Sequence, residues 1–291
     1  MLLNASGCLD ALAAPDVARS LDAFVTKTVT PLPREGNPPV RIAETELGML
    51  NAIGLANPGR DRFLAETLPR LHELGVPIWV SVGGFSATDY AETCALLDDV
   101  TIELNLSCPN VDEAPESAAE IVAACRAATA LPLFAKLSAA APDVAATARA
   151  VQLAGADGLS LVNTIRGLAL DERTLRPRLD RAIGGLSGPA LRPIALAAVF
   201  ACYRATGLEI VGMGGVSTGR DALELIAAGA AHVALGTVLF SDPDAPARVR
   251  EELAREARTL GYDDPREAFA AAHQGALVEA RSLDPRSRVP A

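Results

Sequence analysis

Val100-Thr-Ile-Glu-Leu-Asn105-Leu-Ser-Cys108-Pro-Asn110 is the stretch around which the fold prediction is built. Apolar residues alternate at Val100, Ile102 and Leu104, which is typical of a β-strand, and Pro109 ends any regular structure. A thiol and two amides therefore lie where a strand opens into a loop. In a barrel of parallel strands, this end of the strand carries the chemistry.

The same unit, an apolar strand followed by an amphipathic helix, recurs along the chain. Strands are predicted over residues 22–28, 77–82, 100–106, 133–137, 158–162, 209–213 and 233–235, and helices over 62–74, 88–97, 117–129, 144–154, 190–203, 219–228 and 245–260. This alternation predicts an α/β fold with a parallel sheet, and about eight strands favour a closed (β/α)8 TIM barrel over an open sheet.

The remaining segments are predicted to be connections within a single domain spanning residues 1–291. Residues 1–10 are expected to form a turn, so that the strand at 22–28 is the first of the barrel. Residues 31–39 and the arginine-rich segment 165–186 are expected to be loops, and a polar tail is expected from about residue 262.

Composition excludes several classes of function. The net charge is −10 without a basic run, which argues against nucleic acid or a membrane surface as a partner. A membrane-spanning stretch and a signal peptide are not found, so a cytoplasmic protein that binds a small molecule is expected. The five cysteines never form a Cys-x-x-Cys pair, so neither a disulfide framework nor a metal or iron–sulfur site is expected.

Lysine is unusually scarce in this chain. Of 26 basic residues only Lys27 and Lys136 are lysines, and both are predicted near strand ends. A lysine kept in an arginine-rich background indicates chemistry that needs a compact ammonium group. The alternative for Lys27 is an edge-strand residue that guards against aggregation.

Two glycine turns indicate a phosphate site. Gly212-Met-Gly214-Gly215 and Leu235-Gly236-Thr237 follow the last two predicted strands, where barrels of this kind bind phosphate through backbone N–H groups and a short helix N-terminus. The alternative is a pair of tight strand–helix turns. A phosphate carrier flanked by two ammonium groups fits FMN better than a sugar phosphate. A Schiff-base lysine is the competing interpretation of Lys136.

Cys108 is the candidate base or nucleophile. A free thiol has a pKa of about 8.5, so a modest electropositive setting makes it useful in proton transfer near neutral pH. Segment 48–59 alternates glycines and amides with apolar residues, and the sequence alone favours neither a flat-ligand site nor a turn-rich connection there.

A set of short motifs between about residues 4 and 240 matches one known family. They are Ala5-Ser6-Gly7, Lys27-Thr28, Asn51-Ala-Ile-Gly54-Leu-x-Asn57-Pro-Gly, Asn105-Leu-Ser-Cys-Pro-Asn110, Lys136-Leu, Asn163-Thr164, Gly185-Leu-Ser-Gly188, Gly212-Met-Gly-Gly215 and Gly236-Thr237. Together they resemble the class 1 dihydroorotate dehydrogenases. These are FMN enzymes on a (β/α)8 barrel that oxidise dihydroorotate to orotate in pyrimidine synthesis.

The resemblance implies a role for each matching residue. Cys108 would remove the C5 proton while the C6 hydride passes to flavin N5, and Lys136 would contact the flavin. Substrate binding is implied for Lys27, Asn51, Gly54, Leu55, Asn105, Asn110, Asn163 and Thr164. FMN binding is implied for Ala5, Ser6, Lys27, Thr28, Asn105, Lys136, Val162, Gly188, Gly214, Gly215, Gly236 and Thr237.

The amino acids at these motif positions resemble those of the NAD-linked subclass B more than those of the fumarate-using subclass. The resemblance then implies a homodimer that pairs with an iron–sulfur FAD subunit and passes electrons to NAD, with fumarate as the other acceptor. Two departures from the family are noted: its usual N-terminal strands are expected to be missing, and the loop after Asn110 is expected to be short.

Three functions remain open at this point. The first is the dihydroorotate dehydrogenase itself, and the second is an FMN-dependent enzyme acting on dihydrouracil or another reduced pyrimidine. The third is an FMN-binding barrel without catalytic activity. The four asparagines expected at the ring and the lysine near the carboxylate favour the first over the second.

Overall fold

Eight parallel strands form a barrel in the computed structural model, which describes residues 1–106 and 118–274. The barrel strands, in the order in which they neighbour one another, are β1 (Leu2–Asn4), β2 (Phe24–Val25), β5 (Ile78–Val82), β6 (Thr101–Asn105), β7 (Leu133–Ser138), β8 (Gly158–Asn163), β11 (Glu209–Met213) and β12 (His232–Leu235). A parallel bridge between Leu3 and Ala23 joins the two ends of this sheet. The predicted (β/α)8 TIM barrel is therefore confirmed.

Helices cover the outside of the barrel. In the described residues they are α1 (Pro15–Arg19), α2 (Arg60–Arg62), α3 (Leu68–His72), α4 (Ala87–Cys94), α5 (Ala118–Ala128), α6 (Val144–Leu153), α7 (Arg192–Thr206), α8 (Gly219–Ala227) and α9 (Ala245–Thr259). A π-helical turn, Phe63–Thr67, joins α2 to α3. None of these helices combines the length and the apolarity that crossing a lipid bilayer requires.

The first barrel strand is β1, and the prediction that residues 1–10 form only a turn was wrong. Three residues are too few to show an alternating pattern. The Asn4 side chain, which is fully buried, completes the join: its Nδ2 donates to the Val25 carbonyl at 2.7 Å, and its Oδ1 accepts from the Val25 N–H at 2.8 Å. This side-chain amide thus takes the place of a peptide group between β1 and β2.

Replacing Asn4 by Ala is expected to lower the free energy of unfolding by about 2–4 kcal/mol, because it leaves a buried N–H and a buried carbonyl of Val25 without partners. Chemical denaturation followed by circular dichroism measures the change. Thr147→Ala removes an exposed hydrogen bond on α6 and is expected to stay within about 0.5 kcal/mol of the unmodified protein. Equal midpoints for the two variants would contradict this account of barrel closure.

A second sheet of four antiparallel strands was missed by the sequence analysis. It consists of β3 (Ile42–Thr45), β4 (Gly48–Asn51), β10 (Ile183–Ser187) and β9 (Ile165–Leu168), in that order. The segment 165–186, predicted to be a loop, therefore begins and ends in strands. The sheet joins segments more than 130 residues apart, since Asn51 lies opposite Gly185, and such a pairing leaves no local signal.

Strand β6 has two buried faces. Ile102 and Leu104 belong to the large core between barrel and helices, whereas the alternate residues Glu103 and Asn105 point to the barrel interior and its rim. Towards the amino ends of the strands, aromatic rings fill the barrel interior, and the ring centroids of Trp79 and Phe134 are 4.5 Å apart. The apolar positions that predicted this strand are thus the ones that face away from the site.

The beginning of the predicted C-terminal tail packs against the barrel. Two 3-10 turns, Pro265–Ala268 and Ala271–His273, follow α9. The His273 ring stacks on Phe200 at 4.1 Å, and its Nε2 lies 2.9 Å from the Ala228 carbonyl oxygen. Up to residue 274, therefore, this segment is held on α7 and α8.

Candidate active site

A cavity of about 660 Å³ opens at the carboxyl ends of the barrel strands, beneath the antiparallel sheet. This volume is within the usual range for small-molecule sites. Its wall contains nearly all of the residues predicted for the site: Ala5, Ser6, Lys27, Thr28, Asn51, Leu55, Asn105, Lys136, Val162, Asn163, Thr164, Gly188, Gly214, Gly215, Gly236 and Thr237. Residues spread over 233 positions of sequence are thus brought to one site by the barrel topology.

Three predicted residues are not found in that wall. Cys108 and Asn110, together with the loop after them, lie outside the described residues. Gly54 lies between the wall residues Ile53 and Leu55 without lining the cavity itself, and its carbonyl accepts from Arg34 Nε at 3.2 Å. Its φ of +76° and the close approach of Asn37 indicate that Gly54 shapes the turn that carries Leu55.

Linked amides and hydroxyls form the polar side of the cavity. Asn105 Nδ2 donates to Thr28 Oγ1 at 3.0 Å, and Asn163 Nδ2 donates to Asn105 Oδ1 at 3.1 Å. The backbone N–H of Thr164 donates to Asn163 Oδ1 at 2.8 Å, which fixes the orientation of that amide. Residues from three barrel strand ends are thereby held in one network, and the amides can present both donors and acceptors to a flat polar ring.

Lys136 lies on the cavity floor and forms an ion pair that sequence reasoning missed. Its Nζ donates to Glu103 Oε1 at 3.3 Å, and the side chains are only 6% and 1% exposed, respectively. A charged residue between Ile102 and Leu104, in a strand buried on both faces, was the available signal. Buried charges in proteins are paired, so the need for a partner follows from Glu103 itself.

Cys8 also lines the cavity and was not predicted. Burial raises the pKa of its thiol, the charges of Lys136 and Lys27 lower it, and the charge of Glu103 raises it. The thiol is therefore within electrostatic range of both lysines and of the buried carboxylate. This places three charges around the part of the cavity at which β1 ends.

The other end of the cavity is built from backbone. Gly215 has a φ of +78°, and a Cβ atom there would lie 2.9 Å from both the Arg192 nitrogen and the Gly188 carbonyl oxygen. Thr237 Oγ1 donates to Ser187 Oγ at 2.8 Å, which ties the turn after β12 to the second sheet. Close backbone approach of this kind suits a phosphate group.

The first N–H groups of α8 are not available to a ligand at this end of the cavity. At the start of α8, the Ser217 and Thr218 N–H groups both donate to Asp221 Oδ2 at 2.9 Å, and the Gly219 N–H donates to Glu252 Oε2 at 2.8 Å. These donors are therefore already paired with carboxylates. The short 3-10 turn Thr237–Phe240 remains, since its first N–H groups have no acceptor within the turn.

Replacing Gly215 by Ala is expected to weaken binding of FMN, the cofactor that the resemblance implies, at least about tenfold, which corresponds to about 1.4 kcal/mol. The added Cβ has no space and the φ disfavours it, so the turn must shift. Titration of the flavin-free protein with FMN, followed by fluorescence, measures this. Gly75→Ala is the matched control, because Gly75 has a φ of +72° with no atom near its Cβ position. Equal affinities would argue against a phosphate at this turn.

Arg248 is a further wall residue that was not predicted. It donates to Asp242 Oδ2 from Nε at 2.9 Å and from Nη2 at 2.7 Å, and to the Ser217 carbonyl at 3.1 Å. It thereby ties the turn after β11 to the turn after β12. A single arginine in an arginine-rich chain gives no sequence signal for such a role.

The fold and the cavity define a class: a parallel (β/α)8 barrel whose cavity has a glycine-built end suited to a phosphate and two lysines in its wall. Within that class, the chain belongs to the dihydroorotate dehydrogenase family, whose model matches residues 1–256. The resemblance read from the motifs is thus confirmed. Enzymes of this family are in general flavin-dependent.

Curated relatives cover most of the chain. The catalytic subunit of dihydroorotate dehydrogenase B (NAD(+)) from Desulforudis audaxviator is 44% identical over 265 residues, which cover 87% of this chain and 86% of the relative. A putative dihydroorotate dehydrogenase A (fumarate) from Solibacter usitatus is 43% identical over 247 residues, which cover 81% of each chain. The named relatives thus include both electron acceptors considered above.

Solved structures agree on the fold. A crystal structure of dihydroorotate dehydrogenase from Eimeria tenella in complex with ferulenol has a TM-score of 0.76 at 23% identity, covering 94% of this chain and 85% of that one. The ligand-free enzyme from the same organism has a TM-score of 0.77 at 22% identity. At this level of identity the similarity establishes the barrel architecture alone.

Proposed function

We propose that this chain binds FMN in the cavity and oxidises dihydroorotate to orotate, with Cys108 as the base. Family membership supports the reaction. The observation that carries the proposal is the joint placement, in one cavity, of a backbone-built phosphate end, a buried ammonium and a network of amides. A flavin needs the first two of these features and a pyrimidine ring needs the third.

The residues of the wall fit the cofactor. The turns at Gly215 and Thr237 would hold the phosphate, and Ser6 and Thr28 would lie along the ring. Lys136 would place its ammonium against the flavin, which takes up a hydride and gains negative charge when it is reduced. That ammonium is rigidly held, since its partner Glu103 is buried on a barrel strand.

The amides would orient the substrate. Asn51 donates to the Gly185 carbonyl at 3.3 Å, and Asn105 and Asn163 are linked to each other, so all three are held before a ligand arrives. Because these donors and acceptors are already in place, little conformational entropy is lost when they bind and orient a reacting ring. Lys27, also in the wall, would pair with the substrate carboxylate. Cys108 would take the C5 proton and Asn110 would complete the amide set.

The proposal also includes the electron acceptor and the assembly of the enzyme. We infer NAD as the final acceptor, reached through a partner chain carrying FAD and an iron–sulfur cluster, because the curated relatives include catalytic subunits that bear the NAD(+) name. A homodimer of this chain is proposed as the catalytic unit. Fumarate is the acceptor to compare, since one similar relative bears that name.

The test is anaerobic reduction of the purified protein. We expect yellow protein with about one FMN per chain, whose visible absorption bleaches on addition of dihydroorotate and returns with an acceptor. Dihydrouracil lacks the carboxylate and is expected to bleach the flavin much more slowly. Colourless protein that cannot be reconstituted with FMN would refute the proposal, and faster bleaching by dihydrouracil would reassign the substrate.

A further inference from the structure

Glu103 is a buried carboxylate that the proposed reaction does not use. It lies on β6 between two residues of the outer core, and it points inward at the level of the cavity floor without lining the cavity. Its Oε1 is 3.3 Å from Lys136 Nζ. The ammonium of Lys136 borders the cavity, so the carboxylate lies directly behind the cation that would face the flavin.

The surroundings of this pair screen charge weakly. Trp79 and Phe134 fill the barrel interior nearby, and Ser160, which lies opposite Lys136 on β8, is neutral. Buried charges are screened by salt much less than surface charges. The Glu103 charge is also one of the causes that raise the pKa of the Cys8 thiol, which lines the cavity. Any group bound against Lys136 would therefore experience both charges.

We propose that Glu103 is a positioning residue that limits how strongly Lys136 stabilises a reduced flavin. The carboxylate offsets part of the ammonium charge and holds the ammonium at a fixed place, and so it lowers the reduction potential of the bound cofactor. This inference rests on the proposed function, because it assigns a flavin to the cavity. The oxidised flavin ring is neutral and the reduced ring is anionic, so the charge behind Lys136 acts mainly on the reduced form.

The direction of the effect follows from the sign of the charge. Glu103→Gln keeps the shape of the side chain and removes its negative charge, so the ammonium is no longer offset. The equilibrium between oxidised and reduced flavin is expected to move at least about tenfold toward the reduced form. For a two-electron couple this corresponds to about 30 mV in potential.

The experiment is an anaerobic redox titration of the FMN-loaded protein against a reference dye, followed by absorbance. Glu103→Asp keeps the charge and is expected to shift the potential less than Glu103→Gln does. Ser160→Ala is the control for loss of a neighbouring polar group: Ser160 is buried, its Oγ has no hydrogen-bond partner among the described residues, and it carries no charge. Its potential is expected to equal that of the wild type.

A double variant is a second test of the same inference. The variant Glu103→Gln/Lys136→Met removes both charges. Its equilibrium between oxidised and reduced flavin is therefore expected to differ less than tenfold from that of the wild type. A potential unchanged or lowered in Glu103→Gln, or a shift of tenfold or more toward oxidised flavin in the double variant, would overturn the inference. Failure of the proposed function is distinct, because wild-type protein would then bind no flavin.

Discussion

Replacing Cys108 by Ala is expected to slow flavin reduction by dihydroorotate by about 10²- to 10⁴-fold at neutral pH, the range that general acid–base catalysis supplies. Cys108 lies two positions after Leu106 in the sequence. The Leu106 N–H donates to the Lys136 carbonyl at 3.3 Å. The strand end that precedes Cys108 is thus joined to the strand that carries the proposed flavin lysine. Anaerobic stopped-flow absorbance measures the rate.

The matched comparison for Cys108 is the other thiol of the site. Cys8 lines the cavity, but burial raises its pKa, which disfavours the thiolate that a base requires. We therefore expect Cys8→Ala to retain most of the rate. A large loss in Cys8→Ala with an unchanged rate in Cys108→Ala would transfer the proton-abstracting role to Cys8. FMN content measured on both variants separates loss of chemistry from loss of cofactor.

Replacing Lys136 by Met is expected to lower the free energy of unfolding by about 3–5 kcal/mol, because it leaves the buried Glu103 carboxylate without its cation. Denaturant unfolding of the flavin-free protein measures this effect independently of cofactor binding. The loaded protein should in addition lose FMN affinity, since an ammonium is removed from the cavity floor.

Adding Glu103→Gln to Lys136→Met is expected to restore most of that stability. Replacing both members of a buried ion pair by uncharged groups of similar size often changes the stability little, whereas removing one member is strongly destabilising. Equal unfolding midpoints for Lys136→Met and the double variant would show that the ion pair contributes nothing to stability. Comparison with Asn4→Ala would then rank the pair against the barrel-closing amide.

The barrel and most of its site were predictable because the signals are local. Each strand from β5 to β12 in the barrel is an apolar run with a turn signal directly after it, and the functional residues follow the strands immediately. Parallel strands of a barrel end on the same side. Once the strands around Asn105, Lys136, Asn163 and Gly215 are known, the placement of these residues in one cavity follows.

The segments that were predicted wrongly have no local signal. The three residues of β1 are too short to show a period, and Asn4 closes the barrel through side-chain hydrogen bonds to a residue 21 positions away. The second sheet pairs β4 with β10 across more than 130 residues, so neither strand is stabilised by its own neighbours in sequence. Their pairing depends on the barrel having brought them together.

The sequence by itself determined the fold class, the family and the residue types of the site, because periodicity and motifs are properties of neighbouring residues. Only the tertiary structure decided that Glu103 lies behind Lys136, that Asn4 joins β1 to β2, and that carboxylates occupy the N-terminus of α8. In each case the deciding interaction joins groups distant in sequence, and the cost of burying a polar or charged group unpaired requires it. Burial is a property of the folded chain, and so are the partners that it demands.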